Sequence, residues 1–499
     1  MALKKHSQQL AMLSLLLLLL SLGGCADLKN YHPNAKYRSD VAACPLKEAI
    51  PEPSEVIDCC SSYALQHYKN GQDEGYLLGF VELDEQGQLF DRQQMNTVLE
   101  EFSQYEDLLM VVFVHGWHNN ADPANDNLKR FREVLMKLGK QEAALSKSEG
   151  RLRRQVAGLY IGWRGDSISE IDIPVVKQAT WAPVKLLQQF TFWDRKNTAH
   201  KVGDAGLTEV LVRLDRIKKV KNKMQENGNT KLVVIGHSFG GAAVYSALSQ
   251  ILVHGFVNTV CPEGIDSGIT DCNANGFGNL VLLINPAIEA QQFSVLHDMA
   301  IERGNYFPDQ LPVLAVLASR TDVPVTYIFP FGRWFSTIFE KTLDLERYNA
   351  TTRGTELFDE EKANRYALGH FEAYTNYQLN NGACSGQESS MRTVGYGTTA
   401  SEKAFTFNFL QTASDAWDSG ASKIPFSGEK FEGCLERNNK TAARNPYLIV
   451  SVDKEIIDGH SDLSNDNMRE FIRGMVLLAT QKPTAKERKE VRAMIIRLE

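Results

Sequence analysis

The residues of this 499-residue chain best placed to do chemistry lie in one stretch, KLVVIGHSFGG, at positions 231–241. There Gly236-His237-Ser238-Phe239-Gly240 follows a continuous apolar run and precedes a helical pattern. A serine hydroxyl is a weak nucleophile at neutral pH. It must stand clear of the backbone to meet a base on one side and substrate on the other. A tight strand-to-helix turn achieves this, and it brings strand and helix so close that Gly236 and Gly240 cannot readily carry side chains. Residues 232–235 read as a strand buried on both faces. After the turn, Val244, Ala247, Leu248, Ile251 and Leu252 follow helical spacing, with Gly255 placed to end the helix. The bland alternative is a Gly-Ser turn in an ordinary βα unit.

A nucleophilic serine needs a base and an acid, which after such an elbow follow in the order Asp or Glu, then His, on loops at the carboxyl ends of later strands. His460, in Asp458-Gly459-His460-Ser461-Asp462, stands between the apolar run 447–452 and a helix bearing Met468, Phe471, Ile472 and Met475. His370 is the alternate base, inside a long insert without a preceding buried strand. His254 and His297 fall in helical segments and are poorly placed. Asp322, just beyond the apolar run 311–317, is the expected acid. Glu289, after Ile284-Asn285-Pro286-Ala287, is the alternate, and a turn residue is the competing reading of Asp322.

The tetrahedral intermediate calls for two N–H donors aimed at its oxyanion. Phe239, next after the serine, supplies one. Gly116 or Trp117 supplies the other, from the loop His115-Gly116-Trp117-His118-Asn119-Asn120 that follows a buried run at 108–114. His115 and His118 with Asp122 match no metal-ligand spacing, and neither CxxC nor HExxH occurs. No GxGxxG follows an early strand and no Walker A pattern is present, so no cofactor is expected.

Positioning these groups falls to a ladder of apolar runs at 108–114, 156–161, 232–235, 280–284, 311–317 and 447–452, with helical segments between most of them. Such alternation specifies an α/β fold: a mostly parallel central sheet with helices on both faces and a large insertion before the last strand. A hairpin-like stretch is expected at 76–83 and 88–90 around Asp84-Glu85-Gln86-Gly87. Leu207, Val210, Leu211, Leu214 and Ile217 mark the helix feeding the elbow strand. Residues 172–205 and 325–445 fit the ladder poorly. Each is rich in aromatics and is a candidate cap over an apolar pocket, or simply packs onto the body. The remainder reads as one large α/β domain over 61–499, preceded by a tether at 25–60.

Together His115-Gly116, the GHSFGG elbow, Asp322 and His460 resemble the α/β-hydrolase superfamily from about residue 76 onward, and within it bacterial exported esterase- or lipase-like proteins. The resemblance implies a serine hydrolase acting on carboxylic esters through an acyl-enzyme, with a small-molecule or lipid ester as substrate. Amidases, thioesterases and acyltransferases share the triad. A surface lipoprotein that binds a ligand or partner on the same scaffold without chemistry is the alternative of another class. Arg164 is expected to form a salt bridge or to contact substrate.

The first residues read as an export signal over 1–24: Lys4 and Lys5, an apolar core at 10–20, then Leu22-Gly23-Gly24-Cys25. Small residues before Cys25 resemble the lipobox of bacterial lipoproteins, which implies lipidation of Cys25 and membrane anchoring. Ala26 in the next position resembles an outer-membrane address. The formal net charge is −7, and loss of Lys4 and Lys5, the only formally charged side chains before Cys25, leaves −9. That balance argues against nucleic acid or anionic lipid surfaces as partners. Of the eight cysteines, Cys261 with Cys272 is the expected disulfide. Cys384 with Cys434, and Cys44 with Cys59 or Cys60, are further candidates.

Overall fold

The computed structural model describes residues 29–36, 44–45, 62–69, 75–165, 195–225, 228–259, 273–322, 340–384, 399–428, 431–462 and 465–480, with Thr326, Phe329, Pro330, Arg333 and Thr337. Cys25, the expected signal and most of the tether lie outside these residues. So do residues 172–194, much of 325–339, and the cysteines 59, 60, 261 and 272.

The described strands are β1 (Asn34–Lys36), β2 (Cys44–Pro45), β3 (Tyr63–Lys69), β4 (Tyr76–Leu83), β5 (Leu108–Val114), β6 (Gln155–Trp163), β7 (Lys231–His237), β8 (Leu280–Ile284), β9 (Leu314–Ser319), β10 (Asp344–Asn349), β11 (Gly354–Asp359), β12 (Tyr377–Asn381), β13 (Lys423–Ser427), β14 (Glu432–Arg437) and β15 (Tyr447–Val452). All but β10 and β11 join one sheet in the order β1-β3-β4-β6-β5-β7-β8-β9-β15-β12-β14-β13, with β2 also on β3. From β4 to β12 every neighbour runs parallel. β3 against β4 and the pairs β12-β14 and β13-β14 are antiparallel. The chain is thus an α/β protein with a large, mostly parallel mixed sheet.

Helices cover both faces because the central strands are apolar on both sides. On one face lie α1 (Arg92–Gln104), α3 (Thr208–Met224), α4 (Phe239–Val257) and α5 (Ser294–Arg303), packing Val98, Leu211, Leu248 and Leu296 into the core. On the other lie α2 (Asp126–Glu149), α6 (Thr399–Asp418) and α7 (Asp466–Thr480), packing Leu135, Trp417 and Phe471. α4 carries apolar or small side chains nearly all round, as suits a helix buried at the centre of a domain.

Four expectations are corrected. α4 does not stop at Gly255 but runs to Val257. Gly255 is there because a Cβ would meet the Asn275 carbonyl oxygen at 2.5 Å. The turn after β4 closes through a Leu83–Leu89 bridge, yet the long partners of β4 are β3 and β6, so it is not half of a simple hairpin. The expected tether contributes β1 and β2 to the sheet. The segment 325–445 is not wholly a cap: β12, β14 and β13 extend the main sheet to its edge, where Pro425 lies in the outermost strand and needs no ladder donor on its open side. Cys384 and Cys434, across the β12-β14 end of that extension, form a disulfide.

Candidate active site

The candidate nucleophile, acid and base stand at the carboxyl ends of β7, β9 and β15. Ser238 follows β7 and directly precedes the first residue of α4, with φ 54° and ψ −119°, a region L-residues rarely occupy. Strand and helix meet so tightly that a Cβ on Gly236 would lie 2.8 Å from the Gly240 carbonyl oxygen, and one on Gly240 would strike the Val114 carbonyl. The Ser238 hydroxyl donates to His460 Nε2 at 2.6 Å. His460 Nδ1–H donates to Asp322 Oδ2 at 2.7 Å. A carboxylate only accepts, so the proton sits on Nδ1 and Nε2 is bare toward the serine. Asp322 is fully buried while the His460 side chain keeps 16% exposure.

The loop expected to supply the oxyanion donors is equally close. A Cβ on Gly116 would lie 2.7 Å from Ser238 Cβ, so this loop reaches the nucleophile only as glycine. α4 begins at Phe239, which sets the positive end of its dipole at Ser238. Trp117 lies 6.2 Å from the Phe239 ring and stacks on His118. His115 is buried under the loop: its Nδ1–H donates to the Gly116 carbonyl, its Nε2 accepts the Trp163 N–H, and it stacks on the Trp163 ring. Burial pulls its pKa down to about 4, so it is a neutral scaffold residue. Arg164 forms its salt bridge with Glu85 at 3.2 Å, and Arg195 shares the same carboxylate.

The alternates are elsewhere engaged. His370 Nδ1 lies 3.3 Å from Thr326 Oγ1, and its hydrogen-bond partner is that hydroxyl rather than Ser238. Burial lowers its pKa, opposed by the Asp322 charge. Glu289 is buried between Lys196 at 2.5 Å and Arg333 at 3.1 Å, with its second oxygen taking Gln292. Burial pushes its carboxyl up, but the two cations outweigh this and hold it below the usual range. It fastens neighbouring segments together and does not touch His460 among the described residues.

Two residues hold the candidate base in place: Asn285, which sequence reasoning did not single out as a site residue, and His237, which it named only as part of the elbow. Asn285, at the end of β8 with φ 43°, donates from Nδ2 to the carbonyls of Gly459 at 3.1 Å and His460 at 3.0 Å. Its Oδ1 accepts the Ser319 N–H at 2.8 Å, so one buried amide joins the acid-bearing strand end to the base-bearing loop. His237 donates from Nε2 to the same His460 carbonyl at 2.9 Å. Burial, aided by His460, pulls the His237 pKa down to about 4, and its Nδ1 is bare and unpartnered. Thr321 completes the tie by accepting the Gly459 N–H and donating to Asp458. An asparagine directly after a buried strand is a local sign of left-handed backbone, but nothing local reveals which loop it grips.

No protein-family model, no curated protein and no solved structure matches this chain.

Proposed function

We propose that this protein is a serine hydrolase of the α/β-hydrolase class that cleaves carboxylic esters. One observation carries the reading: an unbroken hydrogen-bonded relay from Ser238 through His460 to buried Asp322, with the hydroxyl set on a left-handed elbow.

In this reading Ser238 Oγ attacks the ester carbonyl carbon while its proton passes to His460 Nε2. Asp322 holds the tautomer and stabilises the imidazolium. The oxyanion is met by the Phe239 amide and by the loop at Gly116 and Trp117. Collapse breaks the bond to the alkoxy oxygen, which takes the proton from His460 and leaves as alcohol. Water, deprotonated by the same histidine, then attacks the acyl-enzyme and releases the acid. The reaction draws on side chains and backbone amides of this chain, and the substrate is a small-molecule or lipid ester.

The reading includes export and a lipid anchor at Cys25 that tethers the body to a bacterial membrane, with the outer membrane as its address. The Cys384–Cys434 disulfide supports an oxidising compartment.

The test is labelling by a fluorophosphonate and turnover of short p-nitrophenyl esters. Wild type labels once and turns over, while Ser238→Ala does neither. Full esterase activity in Ser238→Ala ends the proposal, and an inactive, unlabelled wild type points to a binding protein. Cleavage of thioesters or amides in preference to oxygen esters leaves the triad but changes the substrate class.

A further inference from the structure

Beneath the sheet, on the face opposite α4, helices α2 and α7 do not close against each other. Between them lies a cavity of about 90 Å³, open to solvent on one side. Its floor is the lower face of the central strands, with Phe113 of β5 and Ile235 of β7. Its walls are Phe131 and Val134 of α2 and Ile472 and Val476 of α7. An apolar space of this kind accepts apolar guests. The wall from Phe131 to Leu138 runs seven residues, about 10 Å of helix, the reach of a medium-length alkyl chain.

The rim is charged, and unevenly so. Glu133 of α2 bridges the opening to Arg469 of α7 at 2.8 Å. Arg473 is held by Glu470 of its own helix at 2.9 Å. Arg130 and Lys137, one helical turn before and after Glu133, also line the cavity and pair with no carboxylate among the described residues. An apolar slot with two uncompensated cations on its lip is complementary to an aliphatic chain that ends in an anion.

We infer that this groove binds one anionic amphiphile of the fatty-acid class, its chain laid between α2 and α7 and its carboxylate at Arg130 and Lys137. The site is separate from the triad. Its floor residue Ile235 lies on the strand that leads to Ser238 but faces the other side of the sheet, in the α2 and α7 core. The inference therefore stands or falls independently of ester hydrolysis.

The experiment is calorimetric titration of the full chain with decanoate below its micellar concentration, alongside decyltrimethylammonium. One decanoate is expected per chain, with the cation binding more weakly, and Ser238→Ala is expected to bind like wild type. Val134→Trp fills the slot and should abolish binding. Arg130→Gln with Lys137→Gln, both on the rim and compatible with folding, should weaken it roughly fivefold if each charge contributes as exposed ion pairs do. Equal affinity for the two amphiphiles, or unchanged decanoate binding in Val134→Trp and in the rim double variant, overturns the inference. It is also overturned if the chain sediments as a dimer that Val134→Trp dissociates, since a second copy then fills the groove. Decanoate binding that appears only on removal of residues 481–499 overturns it as well, because the chain's own end is then the occupant.

Discussion

Replacing Asn285 tests whether the base is held by one buried amide. In Asn285→Ala the Ser319 N–H loses its acceptor and the carbonyls of Gly459 and His460 lose their donor, although His237 still reaches His460. An orphaned buried N–H costs about 1–3 kcal/mol, so a total loss of roughly 2–4 kcal/mol is expected in urea denaturation. Alanine at φ 43° adds about 1–2 kcal/mol of backbone strain that glycine does not. Asn285→Gly therefore isolates the hydrogen bonds from the strain. The kinetic effect has a different source: a slackened His460 loop displaces Nε2 from its 2.6 Å contact with Ser238. A misplacement near 1 Å lowers kcat by about a hundredfold. Both variants should lose kcat toward a p-nitrophenyl ester by roughly ten- to a hundredfold with KM unchanged, and the fluorophosphonate labelling rate should fall in parallel. Wild-type kcat in both, with only stability reduced, would show that Asn285 merely packs the strand ends. Loss confined to Asn285→Ala would assign the effect to the backbone instead.

Asp322→Asn keeps the shape of the buried acid but presents an amide to His460, and kcat should fall by about a thousandfold to ten-thousandfold. Retention of activity would move the acid elsewhere. Glu289→Gln removes the charge between Lys196 and Arg333. Unfolding should become easier by roughly 2–4 kcal/mol while kcat is retained, and a loss of kcat without a loss of stability would restore Glu289 as the acid. His115 and His237 are neutral in the folded protein with pKa values near 4, below the ordinary 6.5, and the unfolded chain therefore binds more protons between those limits. Stability is present above pH 6.5 and is lost as pH falls toward 4, by roughly 2 kcal/mol for each histidine between pH 7 and pH 5. Urea midpoints unchanged over that window would contradict the burial argument.

Which parts of the fold were legible follows from how each strand is buried. β5, β8 and β15 read as LLMVVFV, LVLLI and YLIVSV, continuous apolar runs, because helices cover both of their faces. The apolar run starts three residues ahead of β9, since Leu311 and Val313 extend it before the first residue in register, Leu314. β3, YALQHYK, and the insert strands YQLNN, KIPFS and EGCLER mix polar with apolar residues, and none offers such a run. Strands of five to seven residues near a sheet edge, with one face partly solvated, leave too short an alternation to stand out. The site was more legible than the edges. An elbow has a five-residue local signature, and the strand-end positions of Asp322 and His460 followed from the ladder. The grip of Asn285 did not, because its partners lie 34 and 175 positions away.

A long insert separates β9 from β15, and the sheet order explains why it leaves the strand ends in one row. His460 is 222 positions from Ser238 and 138 from Asp322. In space, however, the elbow, Asn285, the acid and the base follow β7, β8, β9 and β15, four consecutive strands of one parallel sheet. β15 pairs with β9 residue for residue, from Tyr447 against Leu314 to Val452 against Ser319. Register therefore fixes where each chain leaves the sheet, whatever the connection does between. The chain from Arg320 to Pro446 can grow, and part of it does so by adding β12, β14 and β13 beyond β15, without changing the height at which His460 emerges. What register leaves undetermined is the last few ångströms across the strand ends. Those are set by side chains that bridge neighbouring loops: Asn285 from β8, Ser319 and Thr321 from β9, and His237 from β7. The sheet brings the triad into one row, and these four side chains close it to hydrogen-bonding distance.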